Sequence, residues 1–351
     1  MMKKRLFFAL LCLSGSLNAA PLQGISFSHH NWEVVCDNTG TCRVAGYQDY
    51  GDHRAVSVLF TRAAGENAPI KGRIALVQPE NVPISDIRLV LNNQSLGSLK
   101  LDNDGYGQLS PQQTQTLLQS LKHHNKIKIL SGKYEWEISD KGAAAVLLKA
   151  DEFQRRLNTP NAWLKRGNST RPVLQPQAKP QIRAAKVPQT GHFTLKSGAK
   201  NHRQVLDLLR AANKKQGEQE ECFHLQSDEH GFKLDINVYP LSQDKKLVGV
   251  LCAMGAYQAS MLYAITDKSV SRIEEILPNE YGGLSDYDPE TGELHGSFKG
   301  RGLGDCWYFQ TAVWNGRTFV KTEMSGSVLC RGFAGGAWSM PKLVSDVIRV
   351  K

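Results

Sequence analysis

Lys299-Gly300-Arg301-Gly302-Leu303-Gly304-Asp305-Cys306-Trp307-Tyr308-Phe309 opens a stretch that closes, beyond an Asn315-Gly316 turn, on Cys330-Arg331-Gly332. Apolar and polar residues alternate from Cys306 to Trp314 and again from Arg317 to Met324, the period of a half-buried strand. Asn-Gly between two such runs is a strong hairpin signal. Glycine at 300, 302 and 304 marks backbone that is tightly turned or closely approached. The stretch therefore predicts antiparallel sheet bracketed by two cysteines, and it holds no motif that names a reaction.

The same grammar extends towards the N-terminus. Strands are expected over Cys222 to Leu225, Phe232 to Tyr239, Lys246 to Cys252, Ala259 to Thr266, Leu294 to Phe298 and Val328 to Arg331, behind an amphipathic helix from Asn201 to Lys214. In the first half, Asn31–Cys36 and Thr41–Tyr47 flank the turn Asp37-Asn38-Thr39-Gly40 and read as a hairpin. Ala55 to Thr61, Arg73 to Val77, Ile87 to Asn92, Gln94 to Leu101, Ile127 to Leu130 and Tyr134 to Ile138 add further strands. Ser110-Pro111 supplies a cap and a first-turn proline for one helix, and Ser139 is expected to cap a second carrying Ala144, Leu147, Leu148 and Phe153.

Four X-Pro pairs, at 172, 176, 180 and 188, are spread through polar and basic residues between Arg166 and Gln189. Proline at this density favours extended backbone, so a solvated linker is expected there. The fold class is α+β. The chain divides into a signal peptide (1–19), an N-terminal domain (20–165), a linker (166–195) and a C-terminal domain (196–351). Each domain is expected to be mainly antiparallel sheet with one or two helices.

Lys3, Lys4 and Arg5 precede a short apolar run, Leu6 to Leu13, and small residues follow to Ala19-Ala20. This is the pattern of a secretory signal peptide, too short for a membrane span. Pro21 disfavours cleavage just before it, so the cut is placed after Ala19; Cys12 lies inside the apolar run and makes a poor lipidation site. Loss of Lys3, Lys4 and Arg5 lowers the formal charge from +10 to +7. A moderate positive charge favours encounter with anionic partners and says nothing about fold. The expected location is the periplasm.

Six cysteines remain: Cys36, Cys42, Cys222, Cys252, Cys306 and Cys330. In an oxidising compartment they read as three disulfides. Pairing of neighbours is expected, Cys36–Cys42, Cys222–Cys252 and Cys306–Cys330, and no pair has the spacing of a zinc ligand set.

Candidate chemistry is sparse. Asp102-Asn103-Asp104-Gly105 places Tyr106 and Gln113 where a calcium loop requires ligands, so a polar turn is expected. Asp286 to Glu293 reads as a hairpin tip. Lys299 to Gly304 lacks phosphate-loop spacing. No Gly-x-Ser-x-Gly nucleophile motif occurs, aromatics do not interleave with basic residues as nucleic-acid platforms require, and no cofactor, metal or transmembrane segment is expected.

Trp32-Glu33-Val34-Val35-Cys36-Asp37-Asn38 with Thr41-Cys42-Arg43 resembles the opening of the DUF1176 family, bacterial envelope proteins of unknown function. The resemblance continues through Arg62-Ala63-Ala64-Gly65, Gly142-Ala143-Ala144-Ala145 with Asp151-Glu152, and Thr159-Pro160-Asn161-Ala162. In the second half it runs through Cys252-Ala253-Met254-Gly255-Ala256-Tyr257, Lys299 to Cys306, and Cys330-Arg331-Gly332; Gln258 and Trp307 depart from the pattern. The first half also has a fainter similarity to invasion-associated locus B proteins. The resemblance implies a periplasmic, disulfide-bonded protein and carries no catalytic residues.

Two functional readings follow. The first is a non-enzymatic binding protein, of inhibitor or immunity type among others, recognising an envelope protein or anionic polymer through Lys299, Arg301, Asp305, Trp307, Arg331 and Trp338. It expects Arg301, Asp305, Trp307, Arg331 and Trp338 to be exposed, and Arg301→Glu to abolish binding without affecting folding. The alternative is an envelope hydrolase with His224, His295 and Asp305 converging between the domains; a ligand-free structural role is a third.

Overall fold

The computed structural model describes residues 21–79, 84–215, 222–226, 233–278 and 283–349. The expected signal peptide, Cys12, His230 and Phe232 lie outside them. In chain order the elements begin β1 (Ile25–His29), β2 (Trp32–Cys36), β3 (Cys42–Tyr47), β4 (Val56–Arg62), β5 (Lys71–Leu76), β6 (Arg88–Leu91), β7 (Gln94–Ser98) and β8 (Tyr106–Gln108). Then follow α1 (Pro111–Ser120), β9 (Ile127–Ser131), β10 (Tyr134–Ile138), α2 (Ala143–Phe153), β11 (Gln181–Ala184), β12 (Phe193–Leu195), α3 (His202–Lys215) and α4 (Phe223–Gln226). The remainder are β13 (Ile236–Pro240), β14 (Lys245–Met254), β15 (Ala259–Asp267), β16 (Ile273–Ile276), β17 (Asp286–Asp288), β18 (Glu293–Lys299), β19 (Trp307–Trp314), β20 (Phe319–Gly326), β21 (Pro341–Leu343) and β22 (Asp346–Arg349). The class is α+β.

The first sheet runs β1-β2-β3-β4-β5-β8 and is antiparallel throughout. All five residues of β2 are buried, which a one-faced strand does not allow. Successive side chains point to opposite faces. Trp32, Val34 and Cys36 face one core with Phe60, Leu89, Ile129, Trp136 and Leu147. Val35 faces another, with Leu59, Phe333, Trp338 and Met340. Helix α2 and the β10-β9-β6-β7 sheet contribute to the first of these cores. The second is closed by residues from the far end of the chain.

Helix α1 begins as expected. Ser110 Oγ accepts from Gln113 N–H, and the Gln113 side chain accepts from the Ser110 backbone N–H, a capping box that stabilises by about 1 kcal/mol. Ser139 does not cap α2. Its hydroxyl is engaged with Asn31 and Asp49, and the N-cap is Gly142 at φ +98°, a left-handed conformation suited to glycine. A Cβ there would meet the His29 carbonyl oxygen at 1.9 Å, so this close approach also requires glycine.

In the second half, β12-β13-β14-β15-β16 form one five-stranded sheet and β17-β18-β19-β20-β21 another. Val248, Val250, Leu262 and Ala264 pack beneath α3. Their strand neighbours Leu247, Tyr263 and Ile265 pack on the other face against Leu294 and Trp314 of the last sheet. Cys222 to Leu225 was expected as a strand, but Phe223–Gln226 is a helical turn. Val328 to Arg331 is extended without strand pairing, because it docks on the first sheet through side chains.

The 166–195 segment is not a solvated spacer along its length. Val173, Leu174, Ala184 and Val187 are buried, and β11 pairs in parallel with β22, Ile182 opposite Val347. The three disulfides join Cys36 to Cys42, Cys222 to Cys252 and Cys306 to Cys330.

Candidate functional site

Lys299 and Trp307 face each other at the open end of the β18–β19 hairpin, and the glycine-rich loop spans the gap. Gly300 N–H donates to the Cys306 carbonyl at 3.0 Å, and Cys330 clamps Cys306 from the side. A Cβ at Gly302 would lie 2.9 Å from the Tyr257 ring, so this glycine lets the neighbouring β14–β15 turn lie against the loop. The Lys299 backbone N–H donates to Gln258 Oε1 at 2.9 Å and ties the two hairpin ends together.

Inside the loop Arg301 and Asp305 pair with each other. Arg301 Nε donates to Asp305 Oδ1 at 2.7 Å, and Nη2 closes a second bond to Oδ2. Gly332 N–H also donates to Oδ2, at 2.6 Å. Asp305 is buried, and its carboxyl is held below the ordinary aspartate value, first by the Arg301 hydrogen bonds and then by the Gly332 amide, against the opposing effect of burial. Trp307 Nε1 donates to the Gly304 carbonyl at 2.8 Å, and its ring stacks on Phe309. Lys299 Nζ stands 5.1 Å above the Trp307 ring, a contact of about 0.5–1 kcal/mol at an exposed site.

Three residues expected at the surface are buried. Asp305 is sealed by Arg301 and Gly332. Arg331 lies under the Tyr50 ring and donates through Nη2 to the His30 carbonyl and Asn31 Oδ1. Trp338 donates to Ser57 Oγ at 2.7 Å, between Arg73 and Tyr106. Arg331 and Trp338 are held by first-half residues more than 250 positions away, a relationship that local pattern does not carry. Lys299, Arg301 and Trp307 keep access to solvent.

Sequence reasoning missed the large apolar side chains around this loop. Tyr50, Met254, Tyr257, Leu303, Phe309 and Val328 are six of the eleven exposed among the described residues. All six belong to the loop, its flanking strands or the segments that touch it. Leu303 is 76% exposed and Tyr257 67%, at neighbouring hairpin ends. Their clustering depends on two turns meeting across Gly302.

The expected histidine–carboxylate cleft does not assemble around Asp305. Both Asp305 oxygens are occupied, whereas His295 Nε2 lies 3.4 Å from Glu293 Oε2, and Glu293 also pairs with Arg349. His224 belongs to α4, beside Cys222. Asp305, Cys306 and Cys330 bring three potential metal-ligand atoms within 4.8 Å. The two sulfurs are joined to each other, so the group offers no thiolate. Asp102 accepts the Asp104 and Tyr106 amides, and Asp288 accepts the Glu290 amide, so both acidic stretches are turns as expected.

A frame of three disulfides on antiparallel sheets, with an apolar and basic knob at one hairpin end, defines a disulfide-stapled α+β protein with a surface-displayed loop. Residues 26–345 match the family described as "Protein of unknown function (DUF1176)", and the chain belongs to that family. It is 28% identical to the "Uncharacterized protein YpfG" of Escherichia coli (strain K12), over 95% of this chain and 96% of that one. The similarity to invasion-associated locus B proteins is not shown by these matches. No solved structure matches the chain. No helix among the described residues is long and apolar enough to cross a membrane.

Proposed function

We propose that this is a periplasmic, non-enzymatic binding protein that recognises an envelope component through the knob at 299–307. The observation that carries this reading is the concentration of exposed apolar side chains around a covalently braced loop. Contiguous apolar surface rimmed by polar groups marks interaction sites in proteins that otherwise cover such groups. Aromatic anchors beside a basic residue are the composition of interface centres. Lys299 adds positive charge at the rim, which suits an acidic partner. The three disulfides and the signal-peptide pattern support an oxidising, extracytoplasmic location.

The test is capture of envelope components on the oxidised, immobilised protein, identified by mass spectrometry, with Leu303→Asp as the paired control. Arg301→Glu is unsuitable, because it would set a carboxylate against buried Asp305 and disturb folding as well as binding. A component retained by the parent and lost from Leu303→Asp supports the reading. Equal retention by both, or none by either, overturns it.

A further inference from the structure

A second feature lies elsewhere, on the first sheet. Arg73 of β5 has its guanidinium 5.1 Å from the Trp338 ring and 5.7 Å from the Tyr106 ring. Those rings meet edge to face, with centroids 5.4 Å apart. Three other arginines of the first half are engaged. Arg43 pairs with Asp37, Arg62 donates to the Ala68 and Asn161 carbonyls, and Arg156 donates to Gln154 and Gly65. The Arg73 side chain makes no hydrogen bond or ion pair with any described residue, and its Nε is buried without an acceptor.

The side chain lines an open cavity of about 780 Å³, shared with Ser98, Lys100, Asp102, Tyr106 and Gln108. That is within the size range of small-ligand sites, about 300–1,000 Å³. Lys100 is exposed and brings a second positive charge. The rim carboxylate of Asp102 makes no ion pair with Arg73. Asp102 turns Oδ1 to the Asp104 and Tyr106 amides, at 3.1 and 2.8 Å.

We propose that this cavity is an oxyanion site, in which Arg73 receives a carboxylate or phosphate group of a ligand and Lys100 assists at the rim. The two rings hold the guanidinium by cation–π contact and supply no hydrogen-bond acceptor, which leaves its N–H groups for a ligand that takes paired hydrogen bonds. Two aromatic rings hold the orientation before the ligand arrives, so little side-chain freedom is lost on binding. An acceptor at this edge also supplies the missing partner of a buried donor, whose desolvation is otherwise uncompensated. This site is separate from the 299–307 knob and stands whether or not the knob binds a partner.

The experiment titrates inorganic phosphate and, separately, acetate into the full-length oxidised protein at constant ionic strength set with chloride. Binding is read by calorimetry and by tryptophan emission, since Trp338 lies against Arg73. A saturable response is expected, weakened by about tenfold in Arg73→Met, which keeps the stem and removes the fork. Tighter phosphate binding assigns a phosphate ligand, and tighter acetate binding a carboxylate. Lys100→Met, at an exposed position that leaves the fold intact, should weaken the response severalfold and decides the matter if Arg73→Met does not fold. No saturable response to either anion, or a response unchanged in Lys100→Met and in a folded Arg73→Met, overturns the proposal.

Discussion

Val328 donates its backbone N–H to the carboxylate of Glu33 at 2.7 Å, joining residues 295 positions apart. Glu33 is fully buried and also accepts from Tyr47 Oη at 2.6 Å and Ser327 Oγ at 2.9 Å. One carboxylate on β2 thus fastens the segment that follows β20 onto the first sheet. The second disulfide cysteine of the knob, Cys330, lies two residues beyond Val328, so this buried contact also helps to position the loop.

Glu33→Ala leaves the Tyr47 hydroxyl and the Val328 amide without their acceptor at a buried site, while the Ser327 hydroxyl keeps the Leu329 carbonyl. Each orphaned buried group costs about 1–3 kcal/mol, so a loss of about 3 kcal/mol or more is expected in urea denaturation. Glu33→Gln keeps the shape and one acceptor and should cost less.

Burial raises the Glu33 pKa above the ordinary glutamate value, against the lowering effect of its hydrogen bonds. The folded protein therefore holds this proton more tightly than the unfolded chain. The resulting contribution is fully present below the ordinary carboxylate value and is lost as pH rises through the folded pKa. As pH rises above the ordinary carboxylate range the parent should lose stability relative to Glu33→Gln, seen as a falling difference in Tm. A flat difference would show that the carboxylate does not change its proton affinity on folding.

Asp305 behaves in the opposite sense. Its pKa is depressed, so its contribution is present above the ordinary aspartate value and lost as pH falls through the folded pKa. Arg301→Ala removes the largest cause of that depression and should move the acid limb of the stability profile to higher pH. The Arg301 side chain is 39% exposed, so solvent screening keeps the loss at neutral pH to about 1 kcal/mol. Adding Asp305→Asn should abolish the pH shift, which thermal melts of the single and double variants would check.

Removing the clamp with Cys306→Ala and Cys330→Ala releases a loop closed across 24 positions. Loss of its chain-entropy contribution is expected to cost about 3 kcal/mol. Limited proteolysis of the double variant should cut first between Lys299 and Trp307, the exposed loop that the disulfide braces.

Leu303→Asp removes an exposed apolar side chain and touches no buried group. Its stability should stay within about 0.5 kcal/mol of the parent by urea denaturation, while partner capture is lost. A large destabilisation would mean that the loop is part of the fold's support rather than a displayed surface.

Much of the framework was legible locally. The hairpins at Gly40, Asn92-Asn93 and Asn315-Gly316 follow from turn residues that adopt positive φ, observed at Gly40, Asn92, Asn93 and Gly316. Ser110-Pro111 announced its helix through hydrogen bonds spanning three residues. The errors lie where distant partners intervene. Ser139 spends its hydroxyl on Asn31 and Asp49 instead of capping. β11 looked like linker because its strand partner, β22, lies more than 160 residues further on. The Arg301–Asp305 pair, by contrast, spans only four residues.

The amino-acid order alone determined the α+β class and most of the strands, because strand period and turn chemistry act over short separations, and the nearest-neighbour disulfide pairing expected from it is the pairing observed. Only the tertiary structure decided which members of the 299–338 set are displayed. Asp305, Arg331 and Trp338 are polar or amphipathic groups that can be buried only when hydrogen-bonded. Gly332, Asn31 and Ser57 supply those bonds, and Asn31 and Ser57 reach their partners only once the first sheet is covered by the end of the chain.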